Sequence, residues 1–176
     1  MVLADLTAGA VADAERRALT RPLADVERDA LARPAAKDAL AFLAPAERVK
    51  IIAEVKRASP SRGALAEIPD PALQASLYET GGASAISVLT EERRFGGSLA
   101  DLEAVTARVS LPVLRKDFIA NRYQVLEARA AGADLVLLIV AGLDPHVLRD
   151  LFGFITELGM TPVSYTHLTL PTKRIV

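Results

Sequence analysis

The residues best suited to chemistry lie at the end of one short apolar run. Residues Val49–Val55 are mostly aliphatic and β-branched, which is typical of a parallel strand covered on both faces. Glu54 and Lys56 lie two positions apart at the end of this run, so their side chains point to the same side of the strand. Opposite charges at a strand end are costly to bury unless they pair or take part in a reaction. The two residues therefore mark a candidate reaction site, and a surface ion pair at a solvated turn is the alternative.

The loop that follows this run favours an anionic ligand. It contains Arg57, Ser59, Ser61 and Arg62, which supply positive charge and hydrogen-bond donors. Such a composition is suited to a phosphate or a carboxylate.

A second lysine follows another apolar run, Leu111–Leu114. Lys116 lies between Arg115 and Asp117 and is followed by Phe118. Lysines in partly apolar surroundings serve as general acids or form Schiff bases, because burial and nearby charges tune their protonation. For this lysine alone, an ion pair with Asp117 at the rim of the fold is the alternative. Two lysines at the ends of different strands favour a shared reaction site.

The remaining motifs are weaker indications of a functional site. The segment Phe95-Gly-Gly-Ser98 could present backbone N–H groups to a phosphate, or it is a flexible loop that leads into a capped helix. It matches neither the P-loop nor the dinucleotide-binding fingerprint. His146 and His167 are the only histidines, and their spacing fits neither a metal site nor a Ser-His-Asp triad.

Strands must bring the charged residues together. Apolar runs recur at Val49–Val55, Ala83–Leu89, Leu111–Leu114, Ala133–Val140 and Met160–Val163. Helical patterns separate them at Pro71–Thr80, Leu99–Arg108, Arg122–Ala131 and Pro145–Leu158. This alternation predicts an α/β fold with a parallel sheet. In such folds the site lies beyond the carboxyl ends of the strands, so we expect Glu54, Lys56, Lys116 and Asp117 to converge there.

The helices carry recognisable end signals. Ser98, Asn121 and Asp144 are expected N-cap residues. In the helix predicted at Pro71–Thr80, Leu73 and Leu77 are expected to face the core. Residues 1–48 also show a helical pattern, interrupted by prolines, and are expected to cap one end of the sheet, with a lid over the site as the alternative.

Composition excludes several classes of protein. The formal net charge is −1, which does not favour binding to nucleic acid or to an anionic membrane. The chain has no cysteine, and therefore no disulfide, thiolate–metal or cysteine-nucleophile site. The longest apolar run, Leu135–Leu143, is shorter than the roughly 20 residues that cross a bilayer. The first seven residues carry an acidic side chain, Asp5, where a signal peptide would carry basic ones. A cytoplasmic protein is expected.

Four segments together strongly resemble one family, the indole-3-glycerol phosphate synthases of tryptophan biosynthesis. They are Ile52-Ala-Glu-Val-Lys-Arg-Ala-Ser-Pro-Ser-Arg-Gly63, Ile86-Ser-Val-Leu-Thr-Glu91 with Phe95-Gly-Gly-Ser98, Pro112-Val-Leu-Arg-Lys-Asp-Phe118 and Gly132-Ala-Asp-Leu-Val-Leu-Leu-Ile139. The resemblance covers about residues 1–163. It implies a TIM (β/α)8 barrel, here truncated to about four and a half βα units behind an N-terminal helical extension.

The resemblance also implies an activity. Enzymes of this family close the indole ring of 1-(2-carboxyphenylamino)-1-deoxyribulose 5-phosphate with loss of carbon dioxide and water. The implied partner is this small phosphorylated substrate, with no cofactor, metal, nucleic acid or membrane.

Roles for individual residues follow from the same resemblance. Lys116 is similar to the general acid that protonates the carbonyl oxygen of the substrate. Lys56 is similar to the mobile lysine that binds its anionic groups and can act as an acid too, and Glu54 to the carboxylate that orients this lysine and the sugar hydroxyls. Ser59 lies in the flexible first βα loop, as a substrate-binding residue. The expected apolar walls around the anthranilate ring are Phe95, Phe118 and Leu137.

The chain departs from the family pattern after Val163. The family continues with a catalytic glutamate at the end of the fifth barrel strand and with three more βα units, whereas residues 164–176 contain no carboxylate. We interpret the chain as an N-terminal fragment with a helical extension (1–48), a partial barrel (49–163) and a non-native tail (164–176) that resembles translated adapter sequence.

An unclosed barrel exposes strand edges and apolar surface. We therefore expect the chain alone to be inactive and to self-associate through these open edges. The alternatives are a different phosphate-handling barrel lyase or isomerase, and a non-enzymatic half-barrel that dimerises.

Overall fold

Five parallel strands form the sheet that holds the candidate site. The computed structural model describes residues 3–165. Its strands are β1 (Ile52–Val55), β2 (Ala58–Ser59), β3 (Gly63–Ala64), β4 (Ala85–Leu89), β5 (Val113–Lys116), β6 (Leu135–Ile139) and β7 (Thr161–Tyr165). The sheet order is β1-β4-β5-β6-β7 with every neighbouring pair parallel, as the sequence predicts. β2 and β3 form a separate antiparallel hairpin within the segment that was expected to be a loop.

Helices connect the strands and cover the sheet. They are α1 (Leu3–Thr20), α2 (Leu23–Leu31), α3 (Ala39–Leu43), α4 (Pro71–Thr80), α5 (Glu92–Phe95), α6 (Leu99–Arg108), α7 (Arg122–Ala130) and α8 (Pro145–Glu157), with a 3₁₀ turn at Val140–Gly142. Ser98, Asn121 and Asp144 cap α6, α7 and α8 as predicted, because each side chain accepts a hydrogen bond from a backbone N–H two or three residues on. The short helix α5 was not predicted.

Side chains alternate along each strand and so divide the core into two layers. On β5, Val113 packs in the outer layer between the sheet and its helices, whereas Leu114 belongs to a cluster on the inner face. The outer layer includes Val55, Ile86, Val88, Leu102, Val136, Leu138, Leu151 and Ile155. The inner cluster comprises Ala10, Ala39, Leu114, Phe118, Leu135, Leu137 and Ile139.

The N-terminal extension contacts both ends of the inner face. α1 lies at the carboxyl ends of the strands, where Asp13 pairs with Arg93 of α5 at 2.7 Å. The segment before α3 lies at the amino ends, where the backbone N–H of Lys37 donates to Asp134, just before β6, at 2.7 Å. α2 joins these two parts and packs along α7.

Leu73 and Leu77 do not face the core, so that prediction is wrong. They are 51% and 58% exposed, whereas Ala75 of the same helix is fully buried. α4 packs against α6 and β1, and β1 is an edge strand of the sheet. No described element covers the other side of α4, and Val49 and Ile51 are exposed beside it.

The last strand continues past the boundary predicted at residue 163. Ser164 and Tyr165 belong to β7 and lie opposite Leu138 and Ile139 of β6. The rest of the tail predicted for residues 164–176 lies outside the described residues. Within residues 3–165, no helix combines the length and the apolar character needed to cross a membrane.

Leucine-to-alanine substitutions at two positions distinguish the buried outer layer from the exposed side of α4. L102A removes a fully buried side chain of the outer layer and should lower the free energy of unfolding by about 2–5 kcal/mol. L77A removes a half-exposed side chain and should change it by only about 0.5 kcal/mol. Urea denaturation followed by circular dichroism measures both, and equal losses in the two variants would contradict the arrangement of α4.

Candidate active site

Glu54 and two lysines form the charged centre of the site. Nζ of Lys116 donates to Oε2 of Glu54 at 2.8 Å, and Nζ of Lys56 lies 2.8 Å from Oε1. The hydroxyl of Ser87 donates to the same Oε2 at 3.3 Å. The three charged side chains are 25–35% exposed, so the cluster is half-buried and still open to a ligand.

Strand register explains how residues 62 positions apart meet. β4 lies between β1 and β5, with Glu54 opposite Ser87 and Ser87 opposite Leu114. Lys116 is two residues beyond Leu114 and therefore on the same inner face. Its four-carbon side chain reaches back across β4 to Glu54. The structure thus brings Glu54, Lys56 and Lys116 together at one place on the inner face.

The cluster carries a surplus of positive charge. Burial raises the pKa of the Glu54 carboxyl, but hydrogen bonds from Lys116 and then Lys56, together with their charges, outweigh it. The pKa of Glu54 consequently lies below its ordinary value of 4.5. One carboxylate faces two ammonium groups, an arrangement that attracts an anionic ligand.

A cavity of about 210 Å³ adjoins the charged cluster. Its lining consists of Lys56, Leu89, Phe95, Lys116, Asp117, Phe118, Leu137, Ile139 and Tyr165. The rings of Phe95 and Phe118 lie 6.1 Å apart at 44° to each other, within the range of favourable aromatic pairs. Aromatic and aliphatic walls next to ammonium groups can hold a planar ring that bears negative charge.

A tight turn places Phe95 at this cavity. The Glu91 side chain accepts hydrogen bonds from three backbone N–H groups of α5 and so fixes the start of the helix. Gly96 ends the helix with a φ of 63°, and a Cβ on Gly97 would lie 2.1 Å from the carbonyl oxygen of Leu89. Only glycine allows the chain to turn back this closely onto β4. The N–H of Gly97 donates to the Glu91 carbonyl at 2.9 Å, so it is not free for a phosphate.

Most residues singled out in the sequence meet at the cavity. Its lining includes six predicted residues, and Glu54 is joined to it through its ion pairs; the six are Lys56, Phe95, Lys116, Asp117, Phe118 and Leu137. Ser59 lies in β2 of the hairpin after β1 and is not part of the lining. His146 is exposed at the start of α8 beside Arg149, and His167 lies outside the described residues. Among residues 3–165 no three His, Asp or Glu side chains are grouped to hold a metal.

Three lining residues were missed from the sequence. Leu89 and Ile139 continue the inner-face alternation of Ser87 and Leu137, so strand parity would have identified them. Tyr165 lies in the segment 164–176, whose sequence predicts a non-native tail.

Removing Lys116 should raise the pKa of Glu54. In K116M the carboxyl keeps its burial but loses one hydrogen-bonded cation, which leaves the charged form less favoured. A carboxyl whose pKa is lowered on folding stabilises the fold above its unfolded value, and this contribution is lost as the pH falls through the lowered pKa. ¹³C NMR of the Glu54 carboxyl carbon should show an upward shift of its titration midpoint in K116M and none in the exposed-lysine control K50M. An unchanged midpoint in K116M would exclude the ion pair.

Comparison with known proteins identifies the family of this chain. The family model for indole-3-glycerol phosphate synthase matches residues 3–170, which extends seven residues past the limit inferred from the motifs. The indole-3-glycerol phosphate synthase of Leifsonia xyli subsp. xyli is 70% identical over 166 residues, which cover 94% of this chain and 64% of that protein. Its counterpart in Beutenbergia cavernae is 57% identical over 166 residues, covering 94% and 62%.

The chain therefore spans less than two thirds of the length of these two relatives. A third relative with the same name, from a Nocardioides strain, is 53% identical over 175 residues, covering 99% of this chain and 67% of that protein. On the matched family model and these identities, the chain belongs to the indole-3-glycerol phosphate synthase family.

Proposed function

We propose that this chain is the N-terminal part of an enzyme that closes the indole ring of 1-(2-carboxyphenylamino)-1-deoxyribulose 5-phosphate. The observation that carries the proposal is the pairing of Glu54 with Lys56 and Lys116 beside a cavity walled by Phe95 and Phe118. Family membership supports it. No observation favours a different phosphate-handling barrel enzyme.

Lys116 is the proposed general acid of ring closure. The ring carbon that bears the carboxylate attacks the ketone carbon of the sugar chain, and the ketone oxygen takes a proton from Nζ of Lys116. Loss of the carboxyl group as carbon dioxide returns its bonding electrons to the ring and restores aromaticity. The new hydroxyl then leaves as water after protonation, while a proton is lost from the adjacent carbon to form the indole double bond.

Glu54 and Lys56 prepare the site for this sequence. The Glu54 carboxylate lies 2.8 Å from each Nζ and so holds both lysine side chains in place at the cavity. Lys56 is placed to bind the carboxylate or phosphate of the substrate. Phe95, Phe118 and Leu137 supply the apolar walls for its aromatic ring.

We propose that the 176-residue chain does not complete the reaction alone. The resemblance calls for a glutamate base at the end of the fifth barrel strand, whereas residues 161–176 contain no Asp or Glu. We also propose that the substrate is a soluble phosphorylated molecule. The protein acts in the cytoplasm, without nucleic-acid or membrane partners.

A chimera tests the function. Residues 1–163 of this chain, joined to the corresponding C-terminal part of the Leifsonia xyli relative, should form indole-glycerol phosphate, detected by its fluorescence. K116M in the chimera should lower kcat by roughly 10²–10⁴-fold, the usual contribution of a positioned acid. K50M, an exposed lysine outside the site, should leave kcat unchanged. A chimera that folds but is inactive, or a K116M variant as active as K50M, would refute the proposal.

Self-association is the second candidate property, favoured by apolar side chains at both edges of the sheet. Leu73 and Leu77 are exposed on the β1 side, and Phe152 and Tyr165 are 49% and 40% exposed on the β7 side. Surfaces of this kind recruit partners or aggregate.

Light scattering of the purified chain should give a mass of a dimer or more. The paired substitutions L73Q and L77Q should shift the distribution toward the monomer, whereas L19Q on the exposed side of α1 should not. A monodisperse native monomer would remove this candidate.

A further inference from the structure

Arg115 is a buried charge that stability does not explain. Its side chain is fully buried in the outer layer, on the side of β5 opposite to Lys116. Burying a guanidinium is costly, and apolar replacements of buried ion pairs are often neutral or stabilising. An arginine in this position, directly before Lys116, therefore calls for a role other than packing.

The Arg115 guanidinium connects three elements around the end of β5. Its Nε donates to the Thr90 hydroxyl at 3.1 Å, its Nη1 to the Gln124 carbonyl at 2.7 Å, and its Nη2 to Asp117 at 2.9 Å. Nη1 also lies 3.4 Å from Glu127 of α7. The rigid planar fork of arginine fixes all these groups relative to one another.

Arg115, Asp117 and Thr90 form a hydrogen-bonded frame around the Lys116 backbone. The Thr90 hydroxyl donates to Asp117 at 2.6 Å, and the Thr90 N–H donates to the Lys116 carbonyl at 3.1 Å. The other oxygen of Asp117 accepts from the Phe118 N–H at 2.8 Å. The Asp117 carboxylate thus binds the backbone of Phe118, an aromatic wall of the cavity, directly and reaches the Lys116 backbone through Thr90.

An ion pair joins helix α1 to this frame. Arg17 makes a two-pronged ion pair with Glu127, at 2.6 and 2.8 Å. Burial lowers the pKa of Arg17, but the hydrogen bonds and charge of Glu127 outweigh it, so the net shift is upward. Charges alternate along the series Arg17, Glu127, Arg115 and Asp117, so the frame is close to neutral as a whole.

We propose that Arg115 and Asp117 are positioning residues for Lys116, and that Glu127 and Arg17 secure them from α1. The inference rests on the proposed role of Lys116 as the acid. The two residues fix the lysine's backbone, and their opposite charges compensate each other next to it. Its ammonium group therefore responds mainly to Glu54 and Lys56, which face it on the inner side.

Opposite effects of two single substitutions test this balance in the 176-residue chain. D117N leaves the Arg115 charge undercompensated, which disfavours the Lys116 ammonium and should speed acetylation of its amine by N-acetoxysuccinimide about fivefold. R115M leaves the Asp117 charge uncompensated and should slow the same reaction about fivefold. The double variant should return to within about twofold of the native rate. Peptide mass spectrometry at a fixed, mildly alkaline pH measures the rates, with Lys50 as the internal reference.

A purely structural role predicts a different pattern. Loosening of the strand end would expose Lys116 and speed acetylation in both single variants, and most in the double variant. That result, or no change in D117N, would overturn the inference. If R115M does not fold, D117N must still be faster and D117E, which keeps the charge, must restore the native rate. Acetylation needs no turnover, so its outcome is separate from that of the K116M chimera.

Discussion

The candidate site depends on one half-buried carboxylate that compensates two ammonium groups. Glu54 on β1 reaches Lys56, the first residue after that strand, and Lys116 on a strand that is not its neighbour. This is possible only because β4 lies between them in a parallel register that keeps all three side chains on the inner face. A slip of one residue in either pairing would turn the partner side chain to the opposite face. The regular sheet is therefore a condition for the charged cluster.

The sheet shows an unusual division of polar groups between its two faces. The inner face carries the half-buried cluster of Glu54, Lys56 and Lys116 beside an apolar cavity, whereas the fully buried charges of Arg115 and Glu127 lie on the helix side. Outer layers of α/β sheets are normally apolar. These buried charges surround the segment that carries Lys116. They therefore connect the packing of α1 and α7 to the cavity.

Strand and helix positions were predictable because local signals specify them. Caps such as Ser98 and Asn121, and apolar runs of four to eight residues, indicate elements without knowledge of the tertiary structure. The orientation of Leu73 was not predictable in this way, because periodicity marks an apolar stripe and says nothing about whether a neighbouring element covers it. The frame around Arg115 was also hidden, because the sequence around Arg115 does not reveal that Glu127 and Thr90 lie behind it.

The attachment of α1 has a consequence for how the chain folds as it is synthesised. Arg17 is translated 110 positions before its partner Glu127. At usual translation speeds this separation corresponds to roughly 5 to 20 seconds. During that interval the α7 surface that Arg17 contacts has not yet been synthesised. The ion pair between α1 and α7, and with it the frame at Lys116, can therefore close only after Glu127 has been added to the chain.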